Sequence, residues 1–118
     1  MVSVGDDREL MIWRVGDKDF QNCGWIITPH SWPVYSVSWS HSGNFIATGG
    51  GDNKVYVYEI NWESIEKVSG DFEYVLLAES DSETGHQNDV NCVAFHPSTD
   101  LLVSISDDWS VWFWKFNK

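Results

Sequence analysis

An aspartate precedes an aromatic residue by six positions at three places in this chain, and each aromatic ends a β-type run. The pairs are Asp7 with Trp13, Asp52 with Tyr58, and Asp108 with Trp114. A serine or threonine stands four residues before each aspartate, and a histidine stands 22 residues before the last two. Self-similarity at regular spacing is the mark of a repeat architecture. The chain must therefore fold as a series of similar units.

Each unit carries one set of residues. The sets are His30, Thr48, Asp52 and Tyr58; then His86, Ser104, Asp108 and Trp114; and a remnant of an earlier set, Ser3, Asp7 and Trp13.

The residues around each set have the pattern of short strands joined by tight turns. Residues 34–39 and 54–59 alternate in character at period two, which predicts half-buried strands. Residues 50–53 read Gly-Gly-Asp-Asn, a sequence that favours the positive backbone angles of a hairpin turn. The same order returns from residue 90 onwards. Four-stranded units that recur at about 45 to 56 residues are typical of the blades of a β-propeller.

The predicted fold class is therefore all-β, a single partial propeller of antiparallel four-stranded sheets over residues 1–118. We place an incomplete blade at residues 2–28, a full blade at 30–79 with a surface insertion at 60–71, and a last blade at 86–118 that lacks its fourth strand. Propellers close with about four to eight blades, and an open arc leaves blade faces and strand edges exposed. We therefore expect this chain to be the C-terminal part of a longer protein. Alone, it should be unstable or prone to aggregate. The alternative is an arc that closes by oligomerising.

Charge and cysteine content exclude several functional classes. Seven basic residues stand against 18 acidic ones, for a net charge of −11, so the chain repels nucleic acid phosphates and anionic membrane surfaces. No apolar run approaches the roughly 20 residues that cross a bilayer. The two cysteines are far apart and no signal-peptide pattern is present, which favours a reducing cytosol or nucleus.

Ser104, His86 and Asp108 are also the three residue types of a hydrolase triad. A catalytic triad occurs once, whereas this set recurs with Thr48 and His30 and is accompanied each time by a strand-end aromatic. The sequence also lacks the Gly-x-Ser-x-Gly elbow that presents a nucleophilic serine. We interpret the sets as scaffolding, and we predict no catalytic residues and no enzyme activity.

The sets resemble the structural tetrad of WD40 repeats, in which histidine, aspartate, serine or threonine, and tryptophan link the strands of one blade. The resemblance covers essentially the whole chain and implies a ring of seven blades. Gly85-His86 matches the family's pattern, whereas Pro29-His30 departs from it. Other dipeptides stand where Trp-Asp is usual: Trp13-Arg14, Tyr58-Glu59 and Trp114-Lys115. A closed network of this kind satisfies a buried histidine and carboxylate and fixes the strand register.

Residues 86–97 and the Ser-Asp-Asp hairpin at 106–108 are similar to the last repeat of the WD40 proteins of cytosolic iron–sulfur protein assembly. Residues 3–8 and 46–52 resemble the two preceding blades. The resemblance implies a non-catalytic scaffold of the targeting complex that delivers iron–sulfur clusters to cytosolic and nuclear apoproteins. Its implied partners are a MIP18-family protein and a large helical-repeat subunit, in the cytoplasm and also the nucleus. A generic WD40 adaptor in ubiquitination, trafficking or signalling is the alternative.

The resemblance implies no cofactor and no metal site. Cys23 and Cys92 lack the spacing of metal ligands, and Cys92 is predicted to be a small buried residue of an alternating strand.

Two tryptophans occupy loops where they are candidates for partner binding. Trp109 follows a hairpin aspartate, and Trp32 precedes Pro33 in the loop that enters a blade. Exposed tryptophans at loop tips are frequent hot spots of protein interfaces. The alternative is that both pack on a neighbouring blade.

Overall fold

The computed structural model describes residues 1–61, 73–81 and 83–115. These residues form ten strands and no helix, which confirms the predicted all-β class. The strands are β1 (Val2–Val4), β2 (Glu9–Val15), β3 (Phe20–Ile27), β4 (Val34–Trp39), β5 (Phe45–Gly50), β6 (Val55–Ile60), β7 (Tyr74–Glu79), β8 (Val90–Phe95), β9 (Leu102–Ser106) and β10 (Val111–Trp114). Most of the predicted insertion at residues 60–71 lies outside the described residues.

The strands form three antiparallel sheets in chain order. The first sheet has the order β1-β2-β3, the second β4-β5-β6-β7, and the third β10-β9-β8. Each is a meander in which consecutive strands pair, as the sequence pattern of short strands and tight turns predicts.

The repeated aspartate shapes the same tight turn in all three sheets. Its carboxylate accepts the backbone N–H two residues further on, and the residue between them has a positive φ. The accepted N–H groups belong to Glu9 at 3.0 Å, Lys54 at 3.3 Å and Ser110 at 2.9 Å. The residues with positive φ are Arg8 at 63°, Asn53 at 68° and Trp109 at 71°.

The second sheet is covered on both faces at its central strands, where β5 is buried at all six positions. One apolar cluster joins it to the first sheet and contains Leu10, Ile12, Ile26, Ile46, Tyr56, Tyr58 and Ile60. The other joins it to the third sheet and contains Phe45, Ala47, Val55, Val57, Val90, Val93, Phe95 and Leu102. Gly49 allows the close approach of β8, because a Cβ there would lie only 2.6 Å from Cγ1 of Val90.

Two serine hydroxyls join the first strands of the second and third sheets. The Val93 N–H donates to Oγ of Ser36 at 3.0 Å, and the Phe95 N–H donates to Oγ of Ser38 at 3.0 Å. The facing edge of β8 thus finds hydrogen-bond partners in side chains of β4, without direct strand pairing.

The predicted burial of Cys92 is wrong, because its side chain is exposed. The register of β8 against β9 shifts between Val90 and Cys92, so Asn91 forms a bulge. Val90 and Val93 consequently share the core face, and Cys92 lies on the opposite face.

No helix in the described part of the chain is long and apolar enough to cross a membrane.

Candidate functional site

His30, Thr48, Asp52 and Tyr58, here called the His30 network, form a continuous chain of hydrogen bonds. Nδ1 of His30 lies 2.8 Å from Oδ1 of Asp52, and Nε2 lies 2.8 Å from Oγ1 of Thr48. The Tyr58 hydroxyl lies 3.1 Å from the same Thr48 oxygen. The network connects the loop after β3, strand β5, the β5–β6 turn and strand β6. The His30 side chain is fully buried.

His86, Ser104, Asp108 and Trp114, the His86 network, repeat this arrangement in the third sheet. Nδ1 of His86 lies 3.0 Å from Oδ2 of Asp108, and Nε2 lies 2.7 Å from Oγ of Ser104. The Trp114 indole N–H donates to Ser104 Oγ at 2.7 Å. All four residues of each predicted set are therefore brought together.

A backbone N–H group also binds each carboxylate, at the oxygen not used by His30 in Asp52 and at the same oxygen as His86 in Asp108. Ser31 donates to Oδ2 of Asp52 at 3.0 Å, and Gln87 donates to Oδ2 of Asp108 at 3.0 Å. Each aspartate thereby fixes the loop that contains the histidine as well as its own turn.

The carboxylate fixes the direction of the hydrogen bonds in the His86 network. It can only accept, so Nδ1 of His86 carries a proton and donates to Asp108. When the ring is neutral, Nε2 accepts from the Ser104 hydroxyl, which in turn accepts the indole N–H of Trp114. The same order fits the His30 network if the Tyr58 hydroxyl donates to Thr48, so tyrosine replaces the indole without a break.

Only part of the earliest set is connected. The Trp13 indole N–H donates to Oγ of Ser3 at 2.9 Å, as in the later set. Asp7 lies in the β1–β2 turn, where its carboxylate accepts the Glu9 N–H. The structure thus brings Ser3 and Trp13 together. Asp7 makes the same contact within its turn as Asp52 and Asp108 make in theirs.

The networks keep their carboxylates ionised. Burial opposes ionisation of Asp52, but the hydrogen bond and electrostatic attraction of His30, with the N–H groups of Ser31 and Lys54, hold its pKa below the ordinary value of 3.8. The hydroxyl of Ser110 binds Asp108 and, with the Gln87 N–H and His86, holds the pKa of Asp108 well below 3.8.

The two tyrosines near the His30 network stay neutral at ordinary pH. Burial raises the pKa of Tyr58 well above its ordinary value of 10.0. Burial and the negative charges of Asp52 and Glu79 raise the pKa of Tyr56 to about 12. Tyr58 therefore keeps the hydroxyl proton that its bond to Thr48 requires.

The serine, histidine and aspartate have the connectivity of a hydrolase triad, but the hydroxyls are inaccessible. Ser104 and Thr48 have no exposed surface. A nucleophile must contact its substrate, and the lone pairs of Ser104 already face an indole N–H. The arrangement is suited to holding strands together.

Sequence reasoning missed three residues beside the networks. The Ser110 hydroxyl makes a short hydrogen bond to Asp108 and lies 3.2 Å from Nδ1 of His86. Tyr56 and Trp112 pack edge-on against His30 and His86, with ring centroids 4.6 Å and 6.1 Å apart. Both stand two positions before the strand-end aromatic, so the period of the strand would have indicated them.

Three exposed aromatic residues lie near the turns. Trp109 is 99% exposed and Trp32 is 63% exposed, so neither is packed into the described core. Tyr35, which sequence reasoning missed, is 47% exposed and sits at a register shift between Val34 and Ser36. A Cβ at Gly51 would lie 3.1 Å from the Tyr35 hydroxyl oxygen and 3.3 Å from Cβ of Trp32. Glycine at this turn therefore lets both aromatics lie against it.

Within residues 1–61, 73–81 and 83–115, no three histidine, cysteine, aspartate or glutamate side chains are grouped as metal ligands would be.

Residues 21–59 and 79–115 match the family model described as WD domain, G-beta repeat. The chain belongs to the WD40 repeat family. This confirms the resemblance predicted from the residue sets, and the three sheets are those of a partial WD40 propeller. The first WD40 match begins in β3, the last strand of one sheet, and ends in β6, the third strand of the next. Each WD40 sequence unit therefore includes the last strand of one sheet and the first three strands of the next.

Similar proteins include two named for iron–sulfur assembly. The chain is 30% identical over 127 residues to the "Probable cytosolic iron-sulfur protein assembly protein CIAO1 homolog" of Caenorhabditis elegans, an alignment that covers 98% of this chain and 35% of that protein. It is 32% identical over 115 residues to the "Probable cytosolic iron-sulfur protein assembly protein ciao1" of Xenopus tropicalis, which covers 94% and 33%. The chain thus spans about a third of the length of these curated relatives.

A WD40 protein with a different name is also similar. The "Protein transport protein SEC13 homolog A" of Arabidopsis thaliana is 33% identical over 79 residues, covering 67% of this chain and 24% of that protein.

Proposed function

We propose that this chain is a non-catalytic WD40 interaction scaffold of the cytosolic iron–sulfur assembly targeting complex. In that role it helps to deliver preformed iron–sulfur clusters, as cargo, to cytosolic and nuclear apoproteins. Its partners are a MIP18-family protein and a large helical-repeat subunit, and it works in the cytoplasm and also in the nucleus. The chain contributes no cluster ligands.

The observation that carries this proposal is the similarity to two proteins named for cytosolic iron–sulfur assembly. Those alignments cover 98% and 94% of the chain, whereas the alignment with the transport protein covers 67%. The longer alignments extend beyond residues 21–59 and 79–115, which match the repeat model.

The buried networks support the non-catalytic part of the proposal. We assign both as structural tetrads, with the Ser3 and Trp13 pair as a partial third, because each network joins a loop to two strands of one sheet. Every buried polar side-chain atom in the described residues has a hydrogen-bond partner, so the networks are closed within the fold. In this assignment each of the three sheets is one blade.

Affinity purification of the tagged chain from its source cell tests the complex. We expect a MIP18-family protein and a helical-repeat subunit to be recovered in stoichiometric amounts. A His86→Ala variant, whose third sheet loses its network, is the control and should recover less of both. Recovery of coat subunits or a cullin adaptor in their place would favour the second candidate, a WD40 adaptor in trafficking or ubiquitination, which the similarity to the transport protein supports.

Cluster content provides an independent check. The purified chain, incubated with iron and sulfide under reducing conditions, should retain no stoichiometric iron or visible absorbance. Stable binding of a cluster would contradict the adaptor role.

A further inference from the structure

Five loops lie at one end of the three sheets. These loops and Tyr35 together are called the hairpin-end surface. They are residues 5–8, 28–33, 51–54, 83–89 and 107–110. Backbone hydrogen bonds connect several of them: Val34 donates to the Gly5 carbonyl, Gly51 to the Pro33 carbonyl, and Asp107 to the Asp89 carbonyl. These bonds join the loops of the first and second sheets and, separately, the two loops beside the third sheet.

Aromatic side chains stand out from this surface. Trp109 is 99% exposed, and Trp32 and Tyr35 are 63% and 47% exposed. Trp109 also has a φ of 71°, at the turn position that Arg8 and Asn53 occupy in the other sheets. Left-handed backbone is tolerated by asparagine and is unfavourable for a bulky residue. Because Trp109 makes so little contact with its own chain, folding does not account for its presence there.

The charge around these aromatics is predominantly negative. The surface contains two basic residues, Arg8 and Lys54, and Nζ of Lys54 is already bound to the Ser80 carbonyl. Its acidic residues outside the networks are Asp6, Asp7, Glu83, Asp89 and Asp107, whereas the side chains of Asp52 and Asp108 are mostly buried in the networks. Asp107 lies two residues before Trp109, its N–H donates to the Asp89 carbonyl at 3.1 Å, and its Oδ1 accepts the Asn91 amide at 2.6 Å. A partner that docks here must bring positive charge.

We propose that the hairpin-end surface binds an arginine-containing basic segment of a protein partner, with Trp109 against a guanidinium group and Asp89 and Asp107 beside it. Tryptophan is the aromatic side chain that attracts cations most strongly, and a planar guanidinium both stacks on rings and binds carboxylates. Anionic partners such as nucleic acid are repelled. This inference rests on the proposed scaffold function and adds the chemistry of the partner.

Fluorescence anisotropy with a defined probe tests the surface. The probe is a labelled 12-residue peptide of alternating glycine and arginine, titrated with the full chain at about 150 mM salt. Trp109→Asn places the residue of the equivalent turn at this position, so the fold should be at least as stable. We expect it to weaken peptide binding roughly 3- to 30-fold, the range of a cation–π contact.

Two controls separate the aromatic contact from general attraction by an acidic chain. Phe20→Asn removes an aromatic that is 63% exposed at the opposite end of the sheets, and it should leave binding unchanged. Asp89→Asn should weaken binding and reduce its salt dependence. Equal peptide affinity for the wild-type, Trp109→Asn and Phe20→Asn chains would overturn the proposal, as would equal affinity for a glycine–serine peptide.

The affinity purification distinguishes failure of this surface from failure of the proposed function. If the wild-type chain and Trp109→Asn recover the iron–sulfur targeting proteins equally well, and the variant also keeps its peptide affinity, the surface proposal fails and the function stands. If Trp109→Asn loses the peptide while the wild-type chain recovers no such proteins, the surface stands and the function fails.

Discussion

Three aromatic side chains, two tryptophans and one tyrosine, make the same hydrogen bond to the serine or threonine hydroxyl of their set. Trp13 and Trp114 use an indole N–H, and Tyr58 uses its phenol. The tolerance is physical, because the hydroxyl needs one donor at about 3 Å and does not depend on the ring that supplies it. The aromatic position of each network therefore requires a side chain that can donate a hydrogen bond, whether it is an indole or a phenol.

Tyr58→Phe tests this at one position. It removes the hydroxyl that binds Thr48 and leaves the ring in place, so we expect a loss of about 0.5–1.5 kcal/mol in the free energy of unfolding. Tyr35→Phe is the matched control and should change little, since Tyr35 is about half exposed. Urea denaturation followed by tryptophan fluorescence measures both. A Tyr58→Phe chain as stable as wild type would show that the hydroxyl adds nothing.

The two aspartates predict how stability depends on pH. Their pKa values are lower in the folded chain than the ordinary 3.8, so the stability they contribute is complete above about pH 4 and is lost as the pH falls through the folded values. We expect the urea midpoint of the wild-type chain to drop as the pH falls below about pH 4.

The double variant Asp52→Asn and Asp108→Asn isolates this effect. It should be less stable than wild type at pH 7 and should show a shallower drop below pH 4, because it lacks the two carboxylates. An acid dependence identical to wild type would assign the drop to other groups.

At the scale of strands, side-chain hydroxyls complete the hydrogen bonding where sheets meet. Ser36 and Ser38 lie on one face of β4 and accept the N–H groups of Val93 and Phe95 on β8. Gly49 on β5 adds room for the same strand. The contact between the second and third sheets therefore combines an apolar cluster with a polar edge that fixes its register.

The double variant Ser36→Ala and Ser38→Ala should loosen this edge. We expect a loss of about 1 kcal/mol for each hydroxyl, and faster hydrogen exchange at the amides of Val93 and Phe95 than at the amides of β5. Ser98→Ala, in an exposed turn, is the control. Unchanged hydrogen exchange at the amides of Val93 and Phe95 would show that water binds these amides as well as the serine hydroxyls do.

Most strands and both complete networks could be predicted from the sequence, because period-two alternation and fixed spacing are local signals. The bulges at Tyr35 and Asn91 could not, since a bulge depends on how a strand pairs with its neighbour. The wrong prediction for Cys92 follows from the second bulge. The exposure of Trp109 could not be predicted, because local sequence does not show what covers a turn.

On the scale of the whole molecule, burial is uneven. Strands β5 and β6 are buried at nearly every position, whereas the outer sheets, and β7 at the edge of the second sheet, expose large apolar side chains. Trp25 and Ile27 are exposed on the first sheet, and Ile105, Val111 and Phe113 on the third. Val111 pairs with Ile105, so these two side chains share one face. Stability should therefore be greatest in β5 and β6 and least in the outer strands.

The central claim is that the repeated hydroxyl, histidine and aspartate hold the fold and perform no reaction. Ser104→Ala tests it most directly, with Ser104→Thr as the control that retains a hydroxyl. The two measurements are the free energy of unfolding in urea and the labelling of the folded chain by a fluorophosphonate, which reacts with catalytic serines.

We predict that Ser104→Ala lowers the free energy of unfolding by about 1–3 kcal/mol, because the His86 and Trp114 nitrogens lose their shared partner. Ser104→Thr should recover most of that loss, and the wild-type chain should not be labelled. Stoichiometric labelling of Ser104 in the wild-type chain, together with unchanged stability in Ser104→Ala, would contradict the account.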